Sequence, residues 1–370
     1  FLPDNHLMAG HPGHRSMHNR HRLHHGIDTC GNEYQERMSS RTRITCLWIT
    51  GIAIFLTLAI IDLFTGSANL SGRDICDALL AGPAAEGNSA LTIIWQIRLP
   101  RILTAVIAGS GLAICGAQMQ ALFRNPLADP HILGISAGAG AGAAIASAAA
   151  GFTTGSAIGM TASAATGALI MSMIILGISS RVRSSSVLLI TGVMAGFVMS
   201  ALTSMIEYQA SESQLKMYWN WAAGSFSGNP WSGIGTMACC LVTGSVLAAV
   251  VGKGLSAMLF GEEYAESAGV RTGRTRALSM LSCCLITGSV TAFCGPIGFI
   301  GIVAPHIVRA FSGKSSMQTV LPLSLLCGAI LSLAGDILSM IWSTPLPAGS
   351  TIAFLGIPVI FLILRNKRIL

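Results

Sequence analysis

The sequence predicts an all-α integral membrane protein of about ten transmembrane helices. Three observations carry that prediction. Hydrophobic residues make up 52% of the 370-residue chain, with 42 glycines besides, while charged residues are only 10%, against about 25% in soluble domains. The apolar residues fall in ten runs, most of them close to the roughly 20 residues that a helix needs to cross a hydrocarbon core. The runs lack the alternation of a barrel strand and are too long for one, so their backbone amides must be satisfied inside helices.

Taken in order, the runs are Ile44 to Thr65, Ile102 to Phe123, Ile132 to Gly151, Ala157 to Ile178, Val187 to Tyr208, Trp231 to Val251, Ala277 to Cys294, Ile297 to Phe311, Thr319 to Trp342 and Ser350 to Leu364. The eighth is short. The second ends at FRNPLADP, where Pro126 and Pro130 stop one helix and set up the next. Asn125 and Asp129 can cap the freed amides there. Along the third run Gly134, Gly138 and Gly142 recur every four residues on one face, the small-residue spacing that lets helices approach closely in lipid. Between the seventh and eighth, GPIGF (Gly295, Pro296, Gly298) reads as a tight external turn.

With ten crossings both termini share one side, and basic residues choose it. Cytoplasmic termini leave only Arg73, Arg98, Arg101 and Lys216 of the 22 Lys and Arg outside. The formal charge of +7 is therefore a topology signal and implies no nucleic acid. The ten cysteines form no CxxC pair, and Cys239-Cys240 and Cys283-Cys284 read as small packing residues inside spans.

Residues 1–37 carry seven of the nine histidines without apolar periodicity. A histidine-rich tract can bind metal, but Met38 followed by SSRTRI and the first span reads like a natural start. The expectation is a disordered extension over 1–37 and one transmembrane domain over 38–370. GAGAG (Gly138 to Gly142) follows no strand, and SGKSS (Ser312 to Ser316) lacks the upstream glycine of a phosphate loop, so no nucleotide site is expected. Asp62, Glu207, Arg309 and Asp336 are the few ionisable residues in the spans, and all lie near predicted ends. Ion-coupled carriers hold such groups midway through the membrane. Their scarcity points to an external energy source.

Four segments together are similar to one family: WQIRLPRILTAVIAGSGLAICGAQMQALFRNPLADPHILGISAGAGAG (Trp95 to Gly142), GSFSGNPW (Gly224 to Trp231), LFGEEYAESAGV (Leu259 to Val270) and GPIGFIGIVAPHIVR (Gly295 to Arg309), closed by LPAGSTIAFLGIPVIFLIL (Leu346 to Leu364). The chain resembles the FecCD/BtuC-like permease subunits of type II ABC importers for iron-siderophore complexes, haem or cobalamin, over about Arg43 to Leu364. The resemblance implies a homodimer in the bacterial cytoplasmic membrane, two cytoplasmic ATPase subunits that carry ATP and Mg, and a periplasmic or lipid-anchored substrate-binding protein. It implies a ferric siderophore as the first choice of cargo, with haem and cobalamin behind it. The chain itself would be no enzyme and would bind no cofactor or metal.

Site roles follow from the same resemblance. Arg98 and Arg101 of RLPR match a docking point for the binding protein. The predicted cytoplasmic loop Gly252 to Arg276 contains a segment similar to the family's coupling helix, which would sit in a cleft on the ATPase. That helix would start at Gly261, place Glu262 and Glu263 in its first turn, and end at Gly269. Phe260, Tyr264, Ala265 and Ala268 would form its apolar side. The Asn125–Pro130 turn, GPIGF, Pro305 and His306 read as structural or gating turns; His306 can ligate haem iron, but its predicted place near the cytoplasmic end favours a structural role. Two departures stand out: Asp336 is followed four residues on by Met340 instead of arginine, and PLP (Pro345 to Pro347) replaces ELP.

Overall fold

The computed structural model describes residues 41–66, 68, 70–83, 89–149, 157–182, 184–342 and 346–365. The histidine-rich segment 1–37 and Pro345 lie outside them. The chain divides into two compact units, 1–49 and 50–370; of the first, only the opening turns of helix α1 are described.

Among the described residues the secondary structure is helical throughout. The elements are α1 (Arg41–Phe64), α2 (Gly72–Ala81), α3 (Ser89–Phe123), α4 (Ile135–Ala149), α5 (Ala157–Arg181), α6 (Ser185–Gln209), α7 (Glu212–Ala222), α8 (Trp231–Met258), α9 (Glu262–Ser267), α10 (Thr272–Cys294), α11 (Ile300–Ser312), α12 (Met317–Met340) and α13 (Ala348–Arg365). Seven are long and apolar enough to cross a membrane, and Ile135–Ala149, Ile300–Ser312 and Ala348–Phe361 are shorter apolar helices. Each of the ten coincides with one of the ten apolar runs. The protein is a multi-pass membrane protein.

The largest unit is built around α3. Of its most apolar stretch 83% is buried, against 28% for α5 and α8 and 22% for α6, so α3 is the core and the other three expose apolar side chains such as Leu169, Phe197 and Val246 to lipid. The cause is side-chain size. A Cβ on Gly109 would lie 2.3 Å from the Gly328 carbonyl oxygen, and one on Gly116 would lie 1.9 Å from that of Gly301. Backbone therefore meets backbone, which is how helices gain packing where no hydrophobic drive exists. Ser110 Oγ donates to the Leu325 carbonyl (3.1 Å) and Gln118 Nε2 to Ser282 Oγ (3.0 Å), satisfying polar groups that lipid could not.

Three boundaries depart from the sequence reading. Helix α3 begins well before Ile102, and Ile93–Arg98 is wound as a π-helix, just ahead of Pro100, which has no N–H to donate and crowds the preceding turn. The third run spends its start on a 3-10 helix, Pro130–Leu133, closed by Gly134 at φ 77. At the eighth, 295–299 is non-helical and α11 has 13 residues, roughly 20 Å at 1.5 Å per residue.

Candidate functional site

The segment 259–270 folds as expected from its residues. Gly261, at φ 125, opens α9, a backbone angle that side chains rarely adopt; Gly269, at φ 80, follows its end. Ala265 is fully buried, whereas Phe260 and Tyr264 are 76% and 56% exposed, with ring centroids 5.5 Å apart. Glu263 and Ala268 are exposed as well. Glu262, in the first turn, is partly buried. Its Oε1 accepts from Ser185 Oγ and from Arg276 Nη2 at 2.9 Å, while Arg276 Nη1 donates to the Val182 carbonyl (2.8 Å). Burial alone would raise the Glu262 pKa, but the hydrogen bonds from Ser185 and Arg276 and the Arg276 charge hold it below the ordinary glutamate range. Thr272 Oγ1 donates to Glu266 Oε1 (2.7 Å). The short helix is thus clamped by Glu262 to α6 and α10, leaving the Phe260–Tyr264 pair without a partner among the described residues.

Arg98 and Arg101 correct the sequence reading in another way. They are 2% and 3% exposed, so neither presents a free charge for a docking partner. Arg98 donates to the Leu63 and Ala68 carbonyls, each at 2.6 Å. Arg101 lies between two carboxylates, Nη2 to Asp62 Oδ1 at 2.8 Å and Nε to Asp336 Oδ2 at 2.9 Å. Charges buried this deeply persist only when paired. The spacing of RLPR gave their position, but their partners lie on α1, on the segment just after it and on α12. Met340, where the resemblance expects arginine, takes no part in this cluster.

The turn residues also come together. Asn125 Oδ1 accepts from Leu127 N–H and Asp129 Oδ1 from His131 N–H, both at 2.9 Å; Pro126 lies in the turn and Pro130 begins the 3-10 helix. Arg124, at φ 48, caps α3. His131, which the sequence reading passed over, ties this turn to GPIGF: Nε2 donates to the Ile297 carbonyl (2.7 Å), and Nδ1 pairs with Ser136 Oγ, itself 3.2 Å from Thr291 Oγ1. The carbonyl partner fixes the tautomer, since it can only accept. A Cβ on Gly295 would lie 2.3 Å from the Trp221 carbonyl oxygen; Phe299, at φ 70, is one of two non-glycine residues with positive φ among those described, a strained position. Around Gly298 a Cβ would meet nothing. Ser225 N–H donates to the Cys294 carbonyl (2.8 Å) and Ala348 N–H to that of Gly224 (3.1 Å), so GSFSGNPW, GPIGF and LPAGST form one cluster.

Pro305 is buried within α11. His306 Nδ1 donates to the Ile302 carbonyl one turn back (2.8 Å), and among the described residues no three His, Cys, Asp or Glu converge as metal ligands. Of the packing glycines, Gly134 approaches Gly196, Gly138 faces Met171 and the Gly167 carbonyl, and Gly142 faces the Ser163 carbonyl.

Ten apolar helices among the described residues, packed through small residues and joined to a clamped short polar helix, define a polytopic membrane protein. The chain belongs to the FecCD transport family, whose profile matches residues 53–366. It is 34% identical over 326 residues to the vitamin B12 import system permease protein BtuC of Citrobacter koseri, covering 87% of this chain and 95% of that protein. It is 38% identical over 279 residues to BtuC of Salmonella typhi, covering 74% and 84% respectively. A solved transporter described as of the metal-chelate ABC type, in an inward-facing conformation, superposes with a TM-score of 0.74 at 25% identity, covering 87% of this chain and 99% of that one. The chain is the permease of an ABC importer.

Proposed function

We propose that this chain forms the membrane path of an ATP-driven metal-chelate importer: a homodimer with two ATPase subunits on its cytoplasmic side and a binding protein outside, in the bacterial cytoplasmic membrane with both termini cytoplasmic. The observation that carries the reading is α9. It is anchored from behind by Glu262 and Arg276 and presents Glu263 and the Phe260–Tyr264 pair outward, aromatic residues being enriched at protein interfaces. Because the clamp joins α9 to α6 and α10, a partner that pushes on α9 moves two helices. Three of the four ionisable residues noted in the spans are already engaged within the protein, Asp62 and Asp336 on Arg101 and Arg309 on Gln120, which supports ATP, bound with Mg on the separate subunit, as the energy source.

The cargo class is a metal chelate. A ferric siderophore is the first reading; cobalamin is the second, favoured by the vitamin B12 permeases among the relatives, with haem behind both. The test is the double variant Glu263→Arg, Ala268→Trp in a complex reconstituted with its ATPase and binding protein. The variant should lose the ATPase, or uncouple hydrolysis from uptake, while still inserting. Parent-rate uptake with the ATPase still bound would remove α9 as the coupling element.

A further inference from the structure

A polar cavity of about 230 Å³ lies between α4, α6 and α7. Ser200 and Ser204 of α6 line it and are exposed, so it opens along that helix. Deeper in stand three groups with complementary needs. Trp221 Nε1 has no protein acceptor, so water or a ligand in the cavity must supply one. Tyr218 stands beside Glu207, and its phenol is pushed up to about 12, first by burial and then by that carboxylate. The Tyr218 and Trp221 rings lie 6.2 Å apart between centroids. Gly140 completes the wall, its Cα side facing the Tyr218 hydroxyl, which a Cβ there would meet at 3.6 Å, in ordinary contact.

Charge decides what fits. Glu207 is the one formal charge among the described lining residues, and no lysine, arginine or histidine lines the space. A carboxylate beside two aromatic faces attracts a cation and accepts from N–H or O–H donors, while the Trp221 N–H asks for a carbonyl or hydroxyl oxygen. A polyanion would meet Glu207 with no compensating cation. We infer that this cavity is a cargo-contacting station that takes amide-, hydroxamate- or ammonium-bearing groups of a neutral or cationic chelate and disfavours polyanionic ones. The inference rests on the chelate-import reading and narrows its substrate class.

Two readouts separate the station from that reading. Equilibrium binding to the purified full-length permease in nanodiscs is followed by tryptophan quenching with three probes: ferrioxamine B, a cationic trihydroxamate; cyanocobalamin, neutral and amide-rich; and ferric enterobactin, a tricatecholate trianion. The parent should bind the first two more tightly than the trianion. Glu207→Gln should shrink that preference roughly tenfold, the factor that a lost hydrogen bond to a charged group brings. Trp221→Phe, which keeps the ring and removes the N–H, should weaken ferrioxamine B and cyanocobalamin several-fold and leave the trianion unchanged. Equal affinity of the parent for all three, or a preference unchanged in both variants, overturns the station. ATP-driven uptake of the same three chelates by the full complex tests import separately; a parent that takes up none of them overturns the chelate-import reading, and the station as a cargo site with it.

Discussion

Replacing Arg101 by methionine tests the buried charge cluster most directly. The guanidinium holds Asp62 Oδ1 at 2.8 Å and Asp336 Oδ2 at 2.9 Å, and the three side chains are 3%, 0% and 2% exposed. At that burial solvent screening is negligible, so the estimate for a broken buried pair applies without discount: about 3–5 kcal/mol, most of it the cost of leaving carboxylates unpaired. Arg101 Nη2 also donates to the Thr65 carbonyl at 3.1 Å, whose loss acts in the same direction. The origin of the cost can be separated from simple loss of packing. A triple variant, Arg101→Met with Asp62→Leu and Asp336→Leu, removes the orphaned charges and should recover all but about 1–2 kcal/mol, because apolar replacement of a whole buried ion cluster is close to neutral. The assay is equilibrium unfolding of the purified protein in mixed sodium dodecyl sulfate and dodecylmaltoside micelles. A single variant within about 1 kcal/mol of the parent, or a triple variant no more stable than the single, would refute the argument that unpaired buried charge sets the cost.

Other expectations rest on single geometries. Gly116→Ala places a Cβ 1.9 Å from the Gly301 carbonyl oxygen and should cost about 1–3 kcal/mol by forcing α3 and α11 apart. Gly177→Ala, where a Cβ meets nothing within 4 Å, should be neutral or stabilising by about 0.5 kcal/mol in the same unfolding assay. The clamp on α9 has a defined pH window: the Glu262 pKa is depressed, so its contribution is complete above the ordinary glutamate value, about 4.3, and fades only as pH falls through the lower folded value. Hydrogen exchange of 259–270 should therefore be unaffected between about pH 5 and 8, once corrected for intrinsic rates; Glu262→Gln should speed it several-fold across that whole range. A chain starting at Met38 is expected to insert and transport like the 370-residue chain, measured by uptake in the reconstituted complex.

Ten helices, their order and the ends of α9 were legible in the sequence because they follow from local properties. Run length sets whether a segment spans the membrane, as in Trp231 to Val251, and glycine at 261 and 269 sets where a short helix can start and stop. Hydropathy could not say that α3 is the core, since α8 is as apolar; glycines at 109 and 116, meeting Gly328 and Gly301 from other helices, decide that. Nor could it predict that Arg98 and Arg101 turn inward. A basic residue beside a span reads as exposed until its acceptors are known: Asp62 and Asp336 reach Arg101 from separate helices, and the Leu63 and Ala68 carbonyls take Arg98. His131 was missed for the same reason: its acceptor is the backbone of Ile297, which leaves no mark on side-chain identity. Composition and spacing thus determined which segments cross the membrane and where they turn. The pairing of each buried charge and polar group was decided by the tertiary structure, because it depends on which distant residues share the same low-dielectric space.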